Sequence, residues 1–122
     1  MMRGIRGATT VEVNESGIIL EETTRLFQEI LSRNNIEPES ISHVLVSATK
    51  DLDTAFPAKA LRSLPGCTHV PVMCMQEIDV PGALEKCIRI MMVAETTAKQ
   101  QDVQHVFLNE AIKLRPDLVQ GE

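Results

Sequence analysis

The sequence predicts an α+β fold: a mixed sheet of about five strands, one long helix and short helices packed beside it. Three observations carry this. Five short runs are apolar or β-branched, one stretch of about 18 residues has helical periodicity, and the elements follow the order βαβαβ(α)ββ without a regular βα repeat. At 122 residues the chain makes one domain, expected over residues 1–118, with 119–122 as a short mobile tail.

RGIRGATTVE (3–12) reads as a strand whose alternation puts Arg6 on one face with Gly4, Ala8 and Thr10, leaving room around the guanidinium. After the turn NESG, residues 17–34 form the clearest helix. Ile19, Leu20, Leu26, Phe27, Ile30 and Leu31 make its apolar stripe, Asn34-Asn35 offers the stop, and Glu21–Arg25 and Glu29–Arg33 are supportive pairs. ISHVLVSAT (41–49) is a buried strand. In 51–66 a loop leads to a short helix near Pro57 and a Pro-Gly stop. HVPVMCMQE (69–77) is a strand in which Pro71 demands an edge or a bulge. VPGALEK (80–86) predicts a short helical turn. CIRIMMVAET (87–96) fits either period; its continuous apolar run and the Glu95-Thr96-Thr97 break favour a strand. HVFL (105–108) is a last short strand before the irregular EAIKLRPDL.

Composition excludes several functions. The net charge is −5, with no basic tract and three aromatic residues, which argues against nucleic-acid binding. No apolar run is long enough to span a membrane, and the N-terminal residues are too polar for a signal peptide, so a cytoplasmic protein is expected. Cys67, Cys74 and Cys87 lack metal or disulfide spacing and read as reduced thiols; His43, His69 and His105 are scattered, and no metal site is expected. Phosphate-loop, dinucleotide and zinc-protease patterns are missing, so no cofactor is expected either.

Of seven arginines, four stand out: Arg6 among small residues, Arg62 in the short helix, Arg89 inside the apolar run and Arg115 before Pro116. A buried guanidinium is costly without a partner. Arg89 therefore faces either a structural carboxylate, best supplied by Glu77, or an anionic ligand. The residues alone lead to an arginine-rich anion pocket accented by one carboxylate and one thiol, suited to a reaction that needs positioning and electrostatics.

Four stretches together resemble a known family: RGIRGATTVE, LVSATKDLDTAFPAKALR, VPVMCMQEIDVPGALEKCIRIMM and LRPDL resemble the trimeric AroH-class chorismate mutases in order over nearly the whole chain. The resemblance implies a homotrimer whose sheets form a pseudo α/β barrel, with active sites at the subunit interfaces. The reaction it implies is the rearrangement of chorismate to prephenate, on the route to phenylalanine and tyrosine. Arg89 is then the cation at the ether oxygen, Arg6 binds a carboxylate, and Glu77 and Cys74 hold the ring hydroxyl. Phe56, Ala58, Lys59, Arg62, Val72 and Met73 line the pocket from the adjoining subunit, and Leu114 and Arg115 close its mouth. Phe107 stands where the family usually has tyrosine, and Met73 where a smaller polar residue is common. The competing expectations are a non-catalytic trimeric sensor of an anionic metabolite and, third, a thiol enzyme using Cys74.

Overall fold

The computed structural model describes residues 1–118; the tail expected at 119–122 lies outside them. Strands β1 (Met2–Thr10), β2 (Ile41–Ala48), β3 (Val72–Gln76), β4 (Cys87–Glu95) and β5 (Val106–Phe107) form one sheet, with helices α1 (Ser16–Arg33) and α2 (Lys59–Arg62). The expected α+β class and strand number both hold. Short 3₁₀ turns occupy Pro38–Ser40, Gln100–Asp102, Asn109–Lys113 and Pro116–Leu118. No helix among the described residues is long and apolar enough to cross a membrane.

The strand order is β3-β2-β4-β1-β5. Central β4 runs antiparallel to both β1 and β2, while β2–β3 and β1–β5 pair parallel. Four strands thus point one way, and their carboxyl ends gather at the edge where β4 begins. β3 lies at the sheet edge as Pro71 required. The proline falls just before the strand, and only its carbonyl serves the sheet, accepting from Val44 N–H at 2.9 Å. Ser42 bulges between Ile41 and His43, which shifts the register of β2 against β4.

Helix α1 covers one face. Ile19, Leu26, Phe27 and Ile30 are fully buried against Ile5, Val44, Val46, Ile88, Ile90 and Met92, with Leu61 of α2 completing the layer. Each such side chain contributes roughly 1.5–3 kcal/mol by leaving water. The buried Thr23 hydroxyl donates back to Ile19 O at 2.6 Å, so no polar atom is stranded there. The helix stops at Asn34, and Asn35 turns the chain away at φ +52°.

Three local expectations change. Residues 80–86 contain a β-turn and no helix: Ala83 N–H donates to Val80 O at 3.0 Å and Gly82 takes φ +84°, which a right-handed helix cannot include. Arg25 pairs with Glu22 at 3.1 Å instead of Glu21, whereas Arg33–Glu29 forms at 2.8 Å. Arg89 is not buried. Strand β4 alternates, with Ile88, Ile90, Met92 and Ala94 buried and Arg89 and Met91 exposed, so period 2 sends the guanidinium to the uncovered face.

Gly7 marks the closest approach of α1 to the sheet. A Cβ there would overlap Ile30 Cδ1 and stand 3.2 Å from Ile30 Cγ1 and 3.3 Å from Leu26 Cδ1. Gly7→Val should therefore cost about 1–3 kcal/mol by overpacking. Urea unfolding at fixed protein concentration checks this; an unchanged midpoint would mean that the helix yields freely.

Candidate active site

Cross-strand partners share a face of the sheet, so the register fixes what meets on the open side. Ala8, Arg89, Ser47 and Met75 lie in one row across β1, β4, β2 and β3, and Arg6, Met91, Leu45 and Met73 lie in the next. Phe107 joins the first row through its pairing with Ala8. Between these rows and the tail segment lies a cavity of about 400 Å³, bordered by Arg6, Arg89, Ser47, Phe107, Leu114 and Arg115.

Its charges are arranged as follows. Arg89 Nε stands 3.3 Å from Glu77 Oε2, and the Ser47 hydroxyl donates to the same carboxylate oxygen. Glu77 lies just past β3, where its N–H still donates to Ala48 O at 2.9 Å, so main chain and side chain are both held. Arg115 is engaged by Asp117 through two bonds of 2.9 and 3.0 Å. Arg6 meets the His105 ring instead of a carboxylate. Beside Arg89, burial pushes the Cys87 thiol up to about 11 against the pull of that guanidinium, so it stays protonated near neutrality. A cavity bordered by three guanidiniums is suited to an anion, and no cysteine or histidine is among the described residues that line it.

The sequence pattern of the family described as chorismate mutase type I matches residues 2–118. The chain belongs to that family. It is 51% identical over 118 residues to chorismate mutase AroH of Bacillus subtilis, covering 97% of this chain and 93% of that one. The Thermus thermophilus chorismate mutase AroH is 42% identical over 119 residues, 97% of each chain. A solved chorismate mutase from Clostridium thermocellum superposes with a TM-score of 0.85 at 49% identity, covering 88% of this chain and 96% of that chain. The activity is that of a chorismate mutase, an isomerase of aromatic amino-acid biosynthesis.

In this chorismate mutase the sequence-derived residues fall into separate places. Arg6, Arg89, Phe107, Leu114 and Arg115 share the arginine cavity, and Glu77 reaches it through Arg89. Cys74 pairs with Val46, so its side chain lies on the helix-covered face and lines a second groove with Phe56. Val72 is half-buried on that same face. Lys59 lines a third groove along α1, Arg62 is exposed at the end of α2, and Ala58 is buried. Phe56 and Met73 are 75% and 63% exposed. One chain therefore does not bring the whole set together.

Two residues that contact the cavity's charged groups escaped the sequence reading. Ser47 was one apolar-strand residue among several, and its only signal was the alternation that sets it beside Arg89. His105 had no local signal, since it meets Arg6 from 99 residues away.

Ser47→Ala removes the hydroxyl that fixes Glu77 and should lower kcat/KM about tenfold, as expected for a hydrogen bond to a charged group. Steady-state kinetics on protein of unchanged circular dichroism checks this; a loss under twofold would show that Arg89 alone orients the carboxylate.

Proposed function

We propose that chorismate binds in the arginine cavity of one subunit and that an adjoining subunit closes it, giving three shared clefts in a cytoplasmic homotrimer. The observation that carries this is the cluster of Arg89, Ser47 and Glu77 on a sheet face that its own helices leave open. Supporting it, Leu45, Met73, Met75 and Met91 are exposed on that face. A contiguous apolar patch around a charged cavity fits a subunit contact.

The reaction is a rearrangement within one molecule: the ether C–O bond breaks while a C–C bond forms, and no proton or leaving group departs. Catalysis then lies in holding the reactive shape and in meeting the negative charge that grows on the ether oxygen. The forked guanidinium of Arg89 offers donors to that oxygen and to a carboxylate together. Arg6 takes a substrate carboxylate, and Glu77 accepts from the ring hydroxyl. Leu114 and Arg115 close the mouth. Phe107 gives ring packing without a phenol hydroxyl. From the adjoining subunit come Phe56, Lys59, Arg62, Val72, Met73 and Cys74, with Ala58 lending backbone. Cys74 acts there by packing and hydrogen bonding.

Charge at the ether oxygen appears only as the bond breaks, so Arg89→Lys should reduce kcat by about 10²- to 10³-fold while the fold persists. Loss of the chorismate diene absorbance measures this directly. A variant within a few-fold of wild type would remove Arg89 from its assigned role.

Light scattering at micromolar concentration should return three times the chain mass. A fully active monomer would overturn the shared clefts.

A further inference from the structure

His105 is fixed from both sides. Its neighbour Gln104 exchanges two 2.8 Å hydrogen bonds with Asn34 at the end of α1: Asn34 Nδ2 donates to Gln104 O, and Gln104 N–H donates to Asn34 Oδ1. On the other side Val106 is fully buried and pairs with Gly7 of β1. The half-buried ring between them is turned onto Arg6. Arg6 N–H donates to Nδ1 at 2.9 Å, and Arg6 Nη1 stands 3.2 Å from Nε2.

These contacts restrict the ring. With Nδ1 accepting, a neutral imidazole carries its proton on Nε2, facing the guanidinium. A guanidinium has only donors, so Nε2–H gives it nothing to bind. The ring thus anchors the Arg6 main chain while withholding an acceptor from its side chain. No carboxylate among the described residues pairs with Arg6; those near the cavity are taken by Arg89 and Arg115. A second ring proton would sit on Nδ1, break the backbone bond and set a cation against Arg6 of β1 and Arg115 of the tail segment. Burial first, and then these two arginines, hold the His105 pKa below its ordinary 6.5.

We propose that His105 is a positioning residue for the rearrangement: the neutral ring fixes the main chain of Arg6 and leaves its guanidinium unsatisfied, ready for a carboxylate of chorismate. The proposal rests on Arg6 being a substrate anchor. It makes binding sensitive to acid through a residue that itself need not touch substrate.

Kinetics of the full chain with chorismate over about pH 5 to 8 test it on wild type, His105→Ala, His105→Asn and Arg6→Ala. Losing the backbone anchor in His105→Ala should raise KM about 3- to 10-fold with kcat within twofold. His105→Asn, whose side-chain oxygen reaches the Nδ1 position, should recover most of that. Wild-type KM should rise as pH falls below 6.5, and in His105→Asn this rise should vanish, because an amide does not titrate. A His105→Ala KM within twofold of wild type, or an acid rise that persists in His105→Asn, overturns the proposal. If His105→Ala does not fold, ¹⁵N spectra of the wild-type ring decide: a proton on Nε2 supports it, and a proton on Nδ1 overturns it. Arg6→Ala separates the two failures. An unchanged KM there removes the anchor itself, whereas a raised KM beside an unmoved His105→Ala rejects His105 alone.

Discussion

A five-stranded sheet has two faces, and in this chain α1 and α2 cover one of them. That imbalance governs the rest. On the covered side the strands carry Ile5, Val44, Val46, Ile88, Ile90 and Met92 and form the core. On the other side the same strands, one residue out of phase, carry Arg6, Ser47, Arg89 and several exposed methionines. A guanidinium in the middle of the central strand is tolerable because this face is not sealed. Under a second helix layer it would need full compensation for its lost hydration.

The acidic chain concentrates positive charge at one place. Its net charge is −5, yet Arg6, Arg89 and Arg115 border one cavity. Two of them have carboxylate partners, but these pairs are partly solvated and so individually weak. A ligand carboxylate can compete with them at little cost, while Arg6 has no carboxylate partner among the described residues. A cleft with charge of one sign against apolar walls also focuses the field on an incoming dianion.

The strands and the long helix were legible because each rests on a periodic pattern: four residues buried alternately in β4, a stripe of Ile19, Leu26, Phe27 and Ile30 in α1. The ambiguous CIRIMM stretch was settled by what surrounds it, since β1 and β2 flank it with complementary alternation. Pro81-Gly82 misled because a proline opens helices as readily as turns, and only the positive φ of Gly82 decides between them. Arg89 announced the site by standing in an apolar run, although period 2 places it on the open face and no burial cost applies. Ser47 and His105 did not, because a serine in a strand and a lone histidine are ordinary until the fold sets them against Glu77 and Arg6.

Parity has one more consequence. Side chains alternate along β3, and its pairing with β2 puts Met73 and Met75 on the arginine face and Cys74 on the helix face. Cys74 and Arg89 therefore line separate spaces within one chain. That separation supports the proposed site, in which the two side chains come from two chains. The same holds for Phe56, which shares the Cys74 groove and stands exposed there. Water exclusion points the same way: preorganised charges act strongly only where solvent is displaced, and a cavity on a bare sheet face has no far wall. The alternation that frees Arg89 from the core thus also leaves the cavity open on one side, which is what the proposed shared cleft would close.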